Sequence, residues 1–414
     1  MTQNQARAGT AGARDISRRT VFSGAAALGL GTLIACSPTA QPAGKTPPRG
    51  SAIDAAALRD AFQRTAKQMT TPGAVMLYRA PQGTLAETYG ARTTSGAPPI
   101  TLADHFRIGS VTKTFTGTII LQLIQEGKLR IDDPVSRYRG DVPNGDNITL
   151  AELLNMRSGL YNYSESLEFN KTLDNEPQHI WTPDELLALA FKNEPYFPPG
   201  KGWHYTNTGI ILLGLIVEKV DGKSLADSYQ SRLFGPLDMQ ETVFPQADSP
   251  AIPEPYPHGY MYGTNVSTID SAELPAEQQA AAAAGTLKPN DVTAANPSWT
   301  WAAGGAVSTV RDLTTWVRAL GDGSLLNPAW QQRRMNSLAS IDPSNPKAVS
   351  YGLAIAQFGP MYGHTGELPG YQAFTGYDPA TKRSLVVLSN LNSAPDGRPV
   401  AATIAQALIA KAYQ

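Results

Sequence analysis

"FRIGSVTKTFTGTIILQLIQEG", residues 106–127, places Ser110 at the mouth of a long apolar run, with Lys113 three positions on. Val111, Phe115, Ile119 and Leu123 recur at every fourth position, and Ile120 and Ile124 repeat the spacing beside them. That is a helical period, and its apolar arc is wide enough to bury the helix on most sides. Positions i and i+3 share a helix face, so Lys113 stacks next to Ser110. In the first turn of a buried helix a lysine is desolvated. The positive helix end works in the same direction, and both lower its pKa. An amine that can release its proton next to a serine hydroxyl is a general base next to a nucleophile. The same helix end offers the backbone N–H of Ser110 to an oxyanion. Serine is also a favoured N-cap and S-x-x-K a common pattern, so this stretch alone leaves capping and catalysis both open.

Two distant motifs bear on the choice. "HYTNTG" supplies Tyr205-x-Asn207 ahead of the apolar run "GIILLGLIVEKVDG". "YGHTGELPGY" supplies His364-Thr365-Gly366 just before a predicted strand. S-x-x-K, Y-x-N and [KH]-T-G in this order resemble the signature of penicillin-recognising serine hydrolases. "LLNMRSGL", "AAGGAVSTVRDLTTW" and "GHTGELPGY" look like further blocks of the family that holds class C β-lactamases and secreted D-alanyl-D-alanine carboxypeptidases. The resemblance spans residues 51 to 412, and the histidine of the third motif is closer to the carboxypeptidases.

The resemblance implies an α+β fold: an antiparallel sheet flanked by N- and C-terminal helices, with an inserted, mainly helical region. It implies that Ser110 is acylated, that Lys113 accepts its proton, and that Tyr205 shuttles protons once nearby cations lower its pKa. Asn207 would orient Lys113 and hold the substrate's acyl side chain. His364, Thr365 and Gly366 would form the far wall on an edge strand, and the backbone N–H of Glu367 would be the second oxyanion donor. Trp299 and Trp301 both lie where an aromatic residue lines the cleft rim in carboxypeptidase-like members. No cofactor or metal is implied, and neither H-E-x-x-H nor a Cys/His cluster is present.

Local patterns agree with that architecture. "AIDAAALRDAFQRTAKQM" reads as a surface helix, and "GAVMLYR" with "TLAETYG" as a hairpin. Helices joined by long loops fill residues 130 to 310. "YGLAIAQF", "GYQAFTGY" and "RSLVVLSN" read as strands, and "RPVAATIAQALIAKAY" as a closing helix. Strands at both chain ends point to one sheet, with the middle inserted and a cleft between the two regions. Glu152, in the helical run "AELLN", reads as a solvated helix residue. Residues 271–290 read as a surface excursion without chemistry.

The chain has 414 residues, 17% charged, with a formal net charge of −1, which gives no footing for a nucleic-acid partner. Its single cysteine, Cys36, allows no internal disulfide. Arg18 and Arg19 precede an apolar run too short for a membrane span, and "SRRTVF" resembles a twin-arginine export signal. "LIAC" resembles a lipobox. The expected organisation is a signal peptide over 1–35, a lipidated Cys36 with a flexible tether over 36–50, and one hydrolase domain over 51–414. A monomer anchored by lipid to the outer face of a bacterial cytoplasmic membrane follows, acting on a small molecule or peptide such as a peptidoglycan stem peptide.

The carboxypeptidases hold their substrate's carboxylate with hydroxyls and an arginine on the strand before the third motif. Here Ala356 or Gln357 takes the arginine's place, and Glu367 adds a carboxylate. The expectation is therefore a D-alanyl-D-alanine carboxypeptidase-like peptidase whose hold on a free C-terminal acid is weakened. An esterase or weak β-lactamase with the same site, and a non-catalytic penicillin-binding or sensor lipoprotein, are the alternatives.

Overall fold

A computed structural model describes the protein over residues 54–345 and 348–414. The signal, Cys36 and the tether lie outside the described residues.

The opening helix, α1 (Ala55–Gln68), starts where the Asp54 side chain accepts a hydrogen bond from the Ala57 N–H. It buries Leu58, Ala61, Phe62 and Ala66 on one face. The expected hairpin follows as β1 (Gly73–Ala80) and β2 (Gly83–Gly90). The apolar run after Ser110 forms α2 (Thr112–Gln125), in which every residue but Gln122 and Gln125 is buried. The helical region adds α3 (Leu150–Leu154), α4 (Leu167–Asn175) and α5 (Thr208–Asp221), and α6 (Val310–Asp322) follows it. The chain then returns to the sheet through β3 (Ala339–Ser340), β4 (Ser350–Tyr351), β5 (Ala356–Phe358), β6 (Met361–Leu368), β7 (Tyr371–Asp378) and β8 (Arg383–Ser389). The last helix is α7 (Val400–Ala412).

The eight strands make one antiparallel sheet in the order β2-β1-β8-β7-β6-β5-β4-β3. The N-terminal hairpin joins the C-terminal strands through β1 and β8, with Ala74 opposite Ser389 and Arg79 opposite Ser384. Side chains alternate along β1. Met76 and Tyr78 pack with Phe62 of α1 and Ile404 of α7. Val75 and Leu77 face the core that holds Phe115 of α2 and Trp316 of α6.

Three local expectations are corrected. "YGLAIAQF" is two short strands, because Ala354 (φ +51) turns the chain and the Gly352 N–H donates to the Ile355 carbonyl. The Ala354 N–H meanwhile donates to the Leu154 carbonyl and ties this turn to α3. α3 ends after five residues, with Met156 at φ +64 just beyond it. Glu152 is more than a solvated residue: its carboxylate accepts from the Thr149 N–H and closes a capping box.

Candidate active site

Ser110 lies in the 3-10 turn Gly109–Val111 that leads into α2. It is not the helix cap: Val111 holds that position, and no side chain caps the helix end. The turn is pressed against β6 backbone to backbone. Gly109 sits at φ +50, and a Cβ there would come within 2.6 Å of the Glu367 nitrogen. A Cβ on Gly366 would come within 1.8 Å of the Ile108 carbonyl and 3.1 Å of the Ser110 nitrogen. Only glycine permits this crossing. It brings the N–H groups of Ser110 and Glu367 to the same place, which is what a two-donor oxyanion hole needs. β6 pairs with β5 only from Met361 to Gly363, so beyond that point it is a free edge among the described residues.

Lys113 is fully buried beneath Ser110. Its Nζ is 2.8 Å from Ser110 Oγ, 2.7 Å from Asn207 Oδ1 and 2.8 Å from the Ala303 carbonyl. All three partners are neutral, and burial holds the amine well below its ordinary pKa. Two of the partners are carbonyl oxygens that can only accept, so they claim two N–H bonds. A neutral amine then directs its lone pair at the Ser110 hydroxyl. Asn207, just ahead of α5, is itself fixed. Its Nδ2 donates to Ser164 Oγ, and its backbone N–H donates to Asn162 Oδ1.

Tyr205 meets the same place but differs from expectation. Burial pushes its hydroxyl well above the ordinary value, Tyr351 adds to this, and Ser110 acts against it. Lys113 Nζ sits over the Tyr205 ring, 4.9 Å from its centre. Tyr205 is therefore held as a neutral phenol.

His364 is also corrected. The third motif lies inside β6, not before a strand, and the His364 ring is turned inward with no exposure. Its Nδ1 donates to the Thr365 carbonyl, which leaves Nε2 to accept from the Tyr351 hydroxyl at 3.1 Å. Burial pushes its pKa down to about 3, so the ring is neutral and does not line the cleft. Thr365 is buried beside it.

The cleft in front of Ser110 has a volume of about 110 Å³ and also exposes Tyr205, Asn207 and the end of β6. Trp299 lines it, and Trp301 does not. The Trp301 ring packs against α5 instead, where a Cβ on Gly214 would approach it to 2.7 Å. Trp299 is seated by Phe169, at 5.4 Å between ring centres, and the Tyr163 hydroxyl donates to its carbonyl. Neither Ala356 nor Gln357 reaches the cleft.

Several wall residues carry no sequence signal of their own. Phe169, Asn170 and Leu173 come from α4, and Asn265, Thr268 and Ile269 from a loop nearly a hundred residues later. Asp174 joins these two segments by accepting from both N–H groups of Asn265 and from the Val266 N–H. Glu165 lines the cleft as well, and its carboxylate accepts from Tyr196, His204 and Asn162. Glu367 is the second carboxylate. Burial pushes it up to about 7, against hydrogen bonds from Asn392 and Ser393. Among the lining residues there is no Arg and no Lys.

Comparison with known proteins gives the family and the fold. The family described as Beta-lactamase matches residues 58–409. Penicillin-binding protein 4* of Bacillus subtilis (strain 168) is 28% identical over 302 residues, 70% of this chain and 62% of that protein. Protein flp of Staphylococcus aureus (strain N315) is 25% identical, over 70% of this chain and 53% of its own length. The chain thus spans about half to three fifths of these curated relatives. A D-stereospecific amidohydrolase from Streptomyces sp. superimposes with a TM-score of 0.72 at 31% identity, covering 87% of this chain and 98% of that one. The D-amino acid amidase from Ochrobactrum anthropi SV3, complexed with L-phenylalanine, gives 0.71 at 25% identity, over 86% and 97%. With the first two motifs meeting at one buried lysine, the third pressed against the Ser110 turn, and the match running nearly end to end of the described residues, the chain belongs to the Beta-lactamase family, on the β-lactamase/transpeptidase-like fold.

Proposed function

We propose that this chain is a serine hydrolase that cleaves amides and short peptides of D-amino acids through an acyl-enzyme on Ser110. In this reading it favours neutral or amine-bearing substrates over free C-terminal acids. The observation that carries the reading is the cleft wall, with two carboxylates, Glu165 and Glu367, and no basic residue among its lining. An anionic substrate end entering such a cleft meets like charge. The likeness to a D-stereospecific amidohydrolase and a D-amino acid amidase points the same way.

Lys113 takes the Ser110 proton as Oγ attacks the carbonyl carbon, and the oxyanion forms against the N–H groups of Ser110 and Glu367. The proton returns to the departing nitrogen, with the neutral Tyr205 phenol as relay. Water then adds to the ester and Lys113 acts as base again. Asn207 keeps the amine on line. Trp299 and the α4 wall receive the apolar side chain. The chain acts outside the cytoplasm, lipid-anchored through Cys36, in keeping with its twin-arginine and lipobox patterns.

A D-alanyl-D-alanine carboxypeptidase is the second reading, favoured by the likeness to penicillin-binding protein 4*. Intact-protein mass spectrometry with a small panel separates the two. The panel holds a D-Ala-D-Ala peptide, its C-terminal amide, D-phenylalanine amide and a p-nitrophenyl ester. An adduct on Ser110, absent in Ser110→Ala, supports the acyl-enzyme. Amide turnover above free-acid turnover supports the first reading, and a strong preference for the free acid would sink it.

A further inference from the structure

We propose that Glu367 and Asn392 form an ammonium-binding subsite at the free end of β6, which selects substrates carrying a protonated amine. The inference rests on the cleft being the substrate site, and it names a specificity-determining residue within it.

The two cleft carboxylates are not equivalent. Both oxygens of Glu165 are already engaged, Oε2 by Tyr196 at 2.6 Å and Oε1 by His204 at 3.0 Å and Asn162 at 3.2 Å. Glu367 receives only two long hydrogen bonds, from Asn392 Nδ2 at 3.3 Å and Ser393 Oγ at 3.4 Å, and both fall on Oε1. Among the described residues its Oε2 accepts nothing. Asn392 also lines the cleft, and its buried Oδ1 has no hydrogen-bond partner among the described residues. With the carboxylate charged, the amide keeps Nδ2 towards it, because turning it over would set Oδ1 against the carboxylate. One free carboxylate oxygen and one orphaned carbonyl oxygen therefore share the same end of the cleft. Both are acceptors: Asn392 Oδ1 is buried and left alone, which is costly, and Glu367 Oε2 stands open to the cleft. A group with several N–H donors and a positive charge satisfies both, which describes an ammonium. Leu368 and Met261 beside them, and Trp299 across the cleft, supply apolar surface for the carbon skeleton.

The groups that face Glu367 do not supply the missing cation. Gln372, opposite it in register on β7, is neutral, and among the described residues its Nε2 has no partner. Asn392 and Ser393 are neutral, as is Ser110 on the turn pressed against β6. Tyr205 and His364 are held neutral by burial. Lys113 is spent on Ser110, Asn207 and Ala303, and Glu165 is of the same sign. Burial pushes the Glu367 carboxyl up to about 7, so a bound ammonium draws it into the charged form.

Calorimetric titration of the folded chain with phenethylamine and with phenethyl alcohol tests this without turnover. It therefore stays decisive even if no acyl-enzyme forms. The expected result at pH 8 is that the amine binds at least about tenfold tighter than the alcohol. Its affinity falls about tenfold on going to pH 6, since a carboxyl titrating near 7 is mostly protonated there. Glu367→Gln, first shown to be folded by its thermal midpoint, removes the difference between amine and alcohol. Glu165→Gln keeps it. Equal binding of amine and alcohol by the wild-type protein overturns the proposal. So does loss of amine preference in Glu165→Gln alone. If Glu367→Gln does not fold, the wild-type pH dependence decides: no change between pH 8 and pH 6 refutes it.

Discussion

The two faces of the main sheet are packed by different rules. On one face α1 and α7 meet β1, β7 and β8 through Phe62, Met76, Phe374, Val387 and Ile404, an apolar layer of the ordinary kind. On the other face α2 buries Lys113 and four threonines among its aliphatic residues. Arg334 joins them with no exposure. It donates to Thr118 Oγ1 and the Ala354 carbonyl, and no carboxylate pairs with it among the described residues. One face is built for stability. The other gives up stability to hold charged and polar groups where water cannot reach them, and that is where the site lies.

The sharpest way to break this contrast is Lys113→Met. Ser110 acylation should fall by about 10²–10⁴-fold, the usual worth of a positioned base, as read by the rate of adduct formation. The thermal midpoint should hold or rise, because an unpaired buried amine is replaced by an apolar chain of similar length. A large drop in midpoint would show that Lys113 is structural.

Phe62→Ala probes the opposite face. It should cost about 3–5 kcal/mol of stability in denaturant unfolding and leave the acylation rate of the folded fraction unchanged. A matching loss of acylation would mean that the two faces are coupled.

Glu367→Gln gives the next effect, with a sign set by pH. Its folded value of about 7 lies above the ordinary 4.5, so between those limits the folded chain binds the extra proton and stability falls as pH rises. The variant should be more stable than the parent at pH 8 by at most about 3 kcal/mol, and equal to it at pH 4. Lys113 acts in the opposite direction: its depressed value makes stability rise with pH towards the ordinary 10.5. Lys113→Met should remove that alkaline slope.

Asp174→Asn is the mildest change, with an expected loss of about 1 kcal/mol or less. Faster hydrogen exchange at the Asn265 and Val266 amides would register the loosened wall. Unchanged exchange would show that the tie to α4 is dispensable.

The contrast also explains what was legible in the sequence. Repeating apolar positions announced α1, α2, α5 and α7, because burial imposes a period on the chain. The first two motifs announced Ser110, Lys113, Tyr205 and Asn207, because each chemical role admits few residue types. The state of the tyrosine and the histidine was not legible. The phenol stays neutral because burial disfavours its charged form, with Tyr351 adding to the effect. His364 turns inward because Tyr351, thirteen residues earlier, offers it a hydroxyl. Capping by Ser110 fits the local sequence, but the left-handed Gly109 inserts a 3-10 turn ahead of the helix. The walls were invisible because α4 and the 265–269 loop are brought together by Asp174, not by any local pattern.

The glycine crossing of the Ser110 turn and β6 has one more consequence. Both oxyanion donors are main-chain groups, so the chemistry is indifferent to which side chain stands at position 367, proline aside. That position is free to drift while the machinery beside it stays intact. A lineage can therefore try new charges within reach of the reacting bond at little risk to the reaction itself. The carboxylate found there is the kind of experiment that such insulation permits.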